Sequence, residues 1–155
     1  MSLEPQESKQ AQGSPMSAAR AMLADIKLAH SVFALPFAVL AAFMAAYPSK
    51  GESVSKISLG QFTTDLLLII IAMIAARTAA MLSNRILDRG IDARNERTAS
   101  RPLASGEVSL KHYVMMLILM SALFIGVASI FWILNANPWP LILAVPVLLW
   151  ICAYG

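Results

Sequence analysis

The chain has 155 residues, of which 58% are hydrophobic and only 14% are charged. A soluble domain usually carries about a quarter charged residues, and several apolar runs here are long enough to cross a bilayer. The composition therefore excludes an ordinary soluble domain and predicts an all-α integral membrane protein. The net charge of +3 lies mostly near the ends of the apolar runs, which argues against nucleic-acid binding. The single cysteine, Cys152, excludes an intrachain disulfide and a cysteine-based metal site.

The first predicted elements are a tail and a membrane segment. Residues 1–19 are rich in Ser, Gln, Pro and Ala and lack the apolar core of a signal peptide, so we predict a disordered tail on the cytoplasmic side. Residues 20–47 form the first predicted membrane segment. Lys27 in this segment suits either an interfacial lysine or a group that binds a phosphate or carboxylate. His30 is more typical of a hydrogen-bonded packing residue than of a catalyst.

The second predicted segment runs from residue 61 to about residue 89 and leads into a charged stretch. Its apolar core contains one charge, Arg77. An arginine inside a membrane span is costly and should face the protein interior beside an anion, for which Asp88, Asp92 or a bound anion are the candidates. Gly90 is predicted to loosen the helix, so that Asp92 falls in the loop rather than in strict helical register.

A polar loop and two further spans complete the chain. The loop is predicted to extend to about Leu110, with Ser109 as the cap of the next helix. Residues 113–134 form a third, uncharged span, residues 135–138 form a tight turn, and a fourth span begins at Trp139. We therefore predict about four transmembrane helices in this chain.

Basic residues set the predicted orientation. The turn after the third span has no basic residue and the first loop has only two, whereas five lie in or beside the loop after the second segment. This loop and the tail are therefore expected to face the cytoplasm. The basic residues in and beside the loop are Arg89, Arg94, Arg97, Arg101 and Lys111.

The charged stretch contains a regular pattern of oxygen-bearing side chains. Asn84, Asp88 and Asp92 recur at intervals of four, which places them on one face of a helix, and Arg77 lies seven residues earlier on the same stripe. Carboxylate and amide oxygens bind Mg²⁺, and arginines bind phosphate oxygens. A solvated helix end explains any one of these aspartates well. The whole pattern instead predicts a site for a metal ion and a phosphorylated ligand.

Two segments of the sequence resemble a known family. N-R-I-L-D-R-G-I-D, followed by E-R-T-A-S-R-P-L-A-S-G, resembles the first aspartate-rich motif of the UbiA superfamily of intramembrane prenyltransferases. H-S-V-F-A-L-P-F-A resembles the opening helix of its bacterial members. The resemblance covers residues 25–155 and implies a bundle of about nine transmembrane helices in the bacterial inner membrane. It also implies Mg²⁺-dependent transfer of a polyprenyl group from polyprenyl diphosphate to an aromatic acceptor such as 4-hydroxybenzoate, in ubiquinone or menaquinone-type biosynthesis.

Roles for individual residues follow from the same resemblance. Carried over by position, Asn84, Asp88 and Asp92 are the catalytic and metal-binding residues. The predicted diphosphate-binding residues are Arg77, Arg94, Arg97, Arg101 and Lys27. The chain ends before a second aspartate-rich motif, so we expect residues 20–155 to be the N-terminal portion of a prenyltransferase domain that is inactive alone.

Two alternatives remain open from the sequence. A CDP-alcohol phosphotransferase also uses membrane aspartates and a metal, but its motif requires Asp-Gly followed two residues later by Ala-Arg, and here Asp88 precedes Arg89. A non-catalytic, truncated membrane scaffold is the second alternative. Metal-dependent binding of a prenyl diphosphate would distinguish an enzyme from a scaffold. The length of the prenyl chain and the identity of the acceptor are left open.

Overall fold

The computed structural model describes residues 15–26, 35–46 and 58–154, and the regular structure in these ranges is entirely helical. The all-α prediction is confirmed. Two of the helices, α3 (Leu59–Asp92) and α4 (Leu110–Asn135), are long and apolar enough to cross a membrane. Shorter apolar helices are found at Leu35–Met44 and Trp139–Ala153. In chain order the helices are α1 (Pro15–Ile26), α2 (Leu35–Ala46), α3 (Leu59–Asp92), α4 (Leu110–Asn135) and α5 (Trp139–Ala153).

Helix α1 corrects the predicted boundary of the tail. It begins at Pro15, and proline suits the first helical position because the N–H that it lacks would have no partner there. Residues 15–19 are therefore helical, and the prediction that the tail is disordered is wrong for them. Residues 1–14 lie outside the described residues. The predicted first membrane segment contains the end of α1 and all of α2, and residues 27–34 within it also lie outside the described part.

Helix α3 has 34 residues, which corresponds to about 51 Å at 1.5 Å per residue. A bilayer core is about 30 Å thick, so the polar end of α3 can extend beyond it. Ser58 caps the first turn, since its hydroxyl accepts from the N–H of Gln61 at 3.2 Å. The helix continues through Gly90 to Asp92, and the N–H of Ala93 still donates to the carbonyl of Arg89 at 3.2 Å. The prediction that Asp92 falls in the loop is therefore wrong.

Helix α4 begins as predicted, but its cap differs. Ser109 occupies the N-cap position in an extended conformation, yet its hydroxyl makes no hydrogen bond to the helix backbone. Its Oγ lies 2.7 Å from Nδ1 of His112 instead. At the other end, the turn after α4 places Ala136 in the left-handed region, with φ 50° and ψ 25°. That turn reverses the chain so that α5 begins at Trp139.

A small apolar core joins α1, the α3–α4 loop (residues 93–109) and the adjoining ends of α3 and α4. Leu82 of α3, Leu103 of the loop and Tyr113 of α4 are fully buried in it. Helix α5 is tied to α3 next to this core, because the Ser83 hydroxyl donates to the carbonyl of Cys152 at 2.9 Å. The core thus fixes the loop beside the charged end of α3. Its buried members are Ala18, Met22, Leu82, Leu103, Val108 and Tyr113.

Candidate functional site

The three oxygen-bearing residues of the predicted motif all lie on helix α3. Because the helix is continuous to Asp92, Asn84, Asp88 and Asp92 keep strict four-residue spacing and follow one stripe over about 12 Å. Arg77 lies on the same stripe about 10 Å further into the helix. Asn84, Asp88 and Arg77 are half-buried, and Asp92 is buried.

Two buried polar atoms on this stripe lack hydrogen-bond partners within the described part of the chain. They are the side-chain oxygen Oδ1 of Asn84 and the Nε–H of Arg77. Buried polar atoms in folded proteins are nearly always paired, because leaving one unpaired forfeits its hydration. One of these atoms is an acceptor and the other is a donor with a positive charge. Together they would suit a ligand that carries both a cation and an anionic group.

Asp92 has a partner inside the protein. Nη1 of Arg101 lies 2.7 Å from each of its carboxylate oxygens, Oδ1 and Oδ2. The Asp92 side chain is 9% exposed and that of Arg101 is 27% exposed, so the pair is largely shielded from water. Asp92 thus pairs with Arg101 and not with Arg77. Arg101, one of the predicted diphosphate-binding arginines, is held by this carboxylate.

Asp92 is also bound through its backbone. Its carbonyl accepts from the N–H of Asn95 and from the hydroxyl of Thr98, both at 3.2 Å. The N–H of Thr98 donates to the carbonyl of Asn95 at 2.9 Å, and the N–H of Arg101 donates to the carbonyl of Thr98 at 3.0 Å. Thr98 is buried. Nothing in the sequence distinguishes Thr98 from a solvated position, because it lies among charged loop residues.

The other predicted site residues differ in their placement. Arg94 and Arg97 are exposed on the loop, and the Arg97 N–H donates to the side-chain oxygen of Asn95 at 3.1 Å. Lys27 lies outside the described residues. Arg85, which is not among the predicted site residues, is half-buried on α3 and has an interaction partner within the protein.

The donor set suits a metal ion that is shared with a substrate. Within the described ranges, no three His, Cys, Asp or Glu side chains converge in a way that could hold a metal ion. The available oxygens are Oδ1 of Asn84 and the carboxylate of Asp88, one helical turn apart. Mg²⁺ commonly uses one or two protein oxygens and completes its shell with water and substrate phosphates. The unpaired oxygen of Asn84 therefore fits Mg²⁺ brought together with a diphosphate.

Comparison with known proteins agrees with this chemistry. The model of the UbiA prenyltransferase family matches residues 34–155. The chain is similar to the 4-hydroxybenzoate octaprenyltransferase of Shewanella loihica, with 36% identity over 73 residues, and to that of Shewanella woodyi, with 37% identity over 73 residues; each match covers 47% of this chain and 24% of the relative.

A eukaryotic relative matches a longer part of the chain. It is the mitochondrial 4-hydroxybenzoate polyprenyltransferase of Schizosaccharomyces pombe, with 33% identity over 97 residues, which are 63% of this chain and 26% of that protein. The chain thus covers about a quarter of the length of these relatives. No solved structure matches the chain.

Proposed function

Because this chain belongs to the UbiA prenyltransferase family, we propose that it carries the first metal–diphosphate half-site for transfer of a polyprenyl group to an aromatic acceptor such as 4-hydroxybenzoate. Family membership and the two membrane-length helices make it an integral membrane protein. The proposal adds the substrates, the Mg²⁺ ion and the residues that bind them. It also places the α3–α4 loop on the cytoplasmic side of a bacterial inner membrane, because this loop carries Arg94, Arg97 and Arg101 whereas the turn after α4 carries no basic residue.

The observation that carries the proposal is the pair of unpartnered atoms on α3. Oδ1 of Asn84 and Nε of Arg77 are buried and lack hydrogen bonds among the described residues, and they lie on the stripe that also holds Asp88. A magnesium diphosphate would supply a cation for the oxygen and anionic oxygens for the arginine. A scaffold role alone gives no reason for two such buried atoms to lack partners among the described residues.

The reaction makes clear what these residues must do. The bond between the allylic carbon and the diphosphate oxygen breaks, and its electron pair leaves with the diphosphate. A ring carbon of the acceptor then bonds to the prenyl carbon, and the ring loses a proton. When bound, Mg²⁺ neutralises the charge that develops on the diphosphate.

In this proposal the chain's own residues hold the leaving group. Asn84 and Asp88 offer oxygens to the metal–diphosphate, and Arg77 donates to diphosphate oxygens from within the span. Arg94 and Arg97 are exposed on the loop that follows α3, and they add positive charge there. A site within the membrane would exclude water, which would favour attack by the acceptor over hydrolysis of the prenyl cation.

The test is a binding experiment on the chain in nanodiscs. We expect geranyl diphosphate to bind in Mg²⁺ and to be released by EDTA, and we expect Asp88→Asn to abolish this binding. Glu107→Gln, which removes an exposed loop carboxylate, is the matched control and should bind normally. Equal binding with and without Mg²⁺ would contradict the proposal. Preference for a CDP-alcohol lipid would favour a phosphotransferase, and binding of neither ligand would favour a scaffold.

A transfer assay extends the test to turnover. The chain covers about a quarter of its relatives, and the family resemblance implies a second aspartate-rich motif. We therefore expect the 155 residues to bind the diphosphate but to transfer no prenyl group alone. Co-expression with the remaining part of the Shewanella loihica relative should give Mg²⁺-dependent transfer to 4-hydroxybenzoate. Robust transfer by the chain alone would show that a single motif is sufficient.

A further inference from the structure

The side chains of Asp92 and Arg101 form a closed contact that differs from the rest of the stripe. One nitrogen of Arg101 lies 2.7 Å from each carboxylate oxygen of Asp92. Asn84, eight residues earlier, keeps a buried oxygen with no hydrogen-bond partner among the described residues. The motif therefore contains one oxygen that is available to a ligand and one carboxylate that already has its counter-ion.

The backbone around Asp92 is engaged as well. Its carbonyl accepts hydrogen bonds from Asn95 and from Thr98, both at 3.2 Å, and the Thr98 carbonyl accepts from the N–H of Arg101 at 3.0 Å. Asp92 is thus bound through its side chain to Arg101 and through its backbone carbonyl to Asn95 and Thr98. A buried carboxylate that lost Arg101 would retain an uncompensated charge, which is strongly unfavourable.

The loop beyond Arg101 is anchored by apolar packing. Leu103 and Val108 are buried in the small core with Tyr113. The loop is therefore fixed at two places, by the Asp92–Arg101 contact and by this core. Between Asp92 and Arg101 it carries the exposed residues Arg94 and Arg97.

We propose that the Asp92–Arg101 pair is a latch that fixes the α3–α4 loop at the end of α3, and that Asp92 is a positioning residue rather than a metal ligand. The metal then depends on Asn84 and Asp88, and the latch determines where Arg94 and Arg97 stand relative to them. The effect on the ligand rests on the proposed function. The claim that the pair holds the loop in place does not rest on the proposed function, and it can be measured with no ligand present.

The first measurement is tryptic cleavage after Arg94 and Arg97 in nanodiscs, read by mass spectrometry without metal or substrate. Cleavage reports how often the loop opens. Asp92→Asn and Arg101→Gln should each accelerate it at least about tenfold, and the double variant no more than either, because both break the same contact. Arg101→Lys, which keeps the charge, should fall between wild type and Arg101→Gln. Lys111→Gln, at an exposed position away from both cleavage sites, is the control and should be cleaved after Arg94 and Arg97 at the wild-type rate.

The second measurement is binding of Mn²⁺, alone and with inorganic diphosphate. The latch predicts that Asp92→Asn and Arg101→Gln change binding in the same direction. Binding of Mn²⁺ alone should stay within about twofold of wild type, and binding with diphosphate should weaken about tenfold, as is typical when a positioning contact is lost. Arg101→Lys should recover part of that loss, which a variant with a general folding defect would not show.

Opposite signs would overturn the proposal. If Asp92 were a metal ligand for which Arg101 competes, Asp92→Asn would weaken binding of Mn²⁺ and Arg101→Gln would strengthen it. Unchanged cleavage in both variants, with helicity by circular dichroism intact, would equally overturn it. If the wild-type chain bound neither Mn²⁺ nor diphosphate, the proposed function would fail, and the cleavage rates would still decide whether the latch exists.

Discussion

Helices α3 and α4 meet at two ends that are built in opposite ways. At the loop end, which is the half of α3 that leads to the α3–α4 loop, Oδ1 of Asn84 and Nε of Arg77 are buried and have no hydrogen-bond partner in the described part of the chain. At the turn end, the contacts form a clasp of three residues. The side chain of Gln61 donates to Oδ1 of Asn135 at 3.0 Å, and Nδ2 of Asn135 donates to Oδ1 of Asp65 at 2.8 Å.

The difference between the loop end and the turn end shows why a carboxylate near the end of a membrane helix is not by itself a functional residue. Asp65 and Asp88 lie on the same helix and are both half-buried. Asp65 has a neutral hydrogen-bond donor on the neighbouring helix, which makes it a structural contact. Asp88 lies one helical turn from Asn84, whose buried side-chain oxygen has no partner among the described residues, which is why we propose a ligand site there and not at Asp65. Four predictions test this distinction, in order of decreasing effect.

The largest effect is expected for Asp88→Asn, assayed by Mg²⁺-dependent binding of geranyl diphosphate. Loss of a residue that merely orients a metal ligand weakens binding by about 10- to 100-fold, so loss of a ligand should cost at least about 100-fold. Asp65→Asn is the matched variant at the turn end and should bind within about twofold of wild type. If the two variants lost binding equally, the distinction between the ends would be wrong.

Arg77→Met should separate binding from stability. We expect diphosphate binding to fall about tenfold or more, because the arginine side chain that donates to the anion is lost. Stability against SDS should hold or rise by about 1 kcal/mol, because an unpaired buried N–H is replaced by an apolar side chain of similar length. Arg89→Met, at an exposed position on the same helix, is the control and should change neither. A clear loss of stability without a loss of binding would make Arg77 a structural residue.

The sequence predicted the stripe well because charge in an apolar helix stands out. The spacing alone points to Arg77, Asn84 and Asp88, and helix α3 keeps that spacing from Arg77 to Asp88. The sequence failed at Asp92 in two respects. Gly90 suggested a break in the helix, and the partner of Asp92 lies nine residues further on, across turns whose geometry depends on tertiary packing.

The clasp at the turn end was not predicted at all. Asn135 is 70 residues from Asp65 and 74 from Gln61 along the chain. Spacing within one helix does not reveal a contact between residues so far apart in sequence. Each of the three residues alone looks like an ordinary polar residue near a helix end. The start of α1 at Pro15 was missed for a related reason. Residues 15–19 become part of a helix because Ala18 and Met22 pack into the core beside Leu82.

A double-mutant cycle measures the clasp. Asp65→Leu and Asn135→Leu should show a coupling of about 0.6 kcal/mol in SDS-driven unfolding, with about 1.7 kcal/mol as the upper end for side-chain hydrogen bonds between membrane helices. The control cycle pairs Asn135→Leu with Thr64→Val, because the Thr64 hydroxyl donates to the carbonyl of Gly60 in its own helix and, among the described residues, makes no hydrogen bond to α4. That cycle should show no coupling. Equal coupling in both cycles would mean that the effect is general to the turn end and not a property of the clasp.

The smallest effect concerns the residues that end the two helices. Ala136 follows α4 with φ 50° and ψ 25°, a left-handed conformation that strains any residue with a Cβ by about 1–2 kcal/mol. Ala93 follows α3 with φ −65° and ψ −22°, which alanine adopts without strain. Glycine relieves the first strain but loses about 0.5–1 kcal/mol of chain entropy in either place. Ala136→Gly should therefore stabilise the chain by up to about 1 kcal/mol, and Ala93→Gly should destabilise it by a similar amount. SDS-driven unfolding of both variants is the measurement, and shifts of the same sign would show that backbone strain does not distinguish the two helix ends.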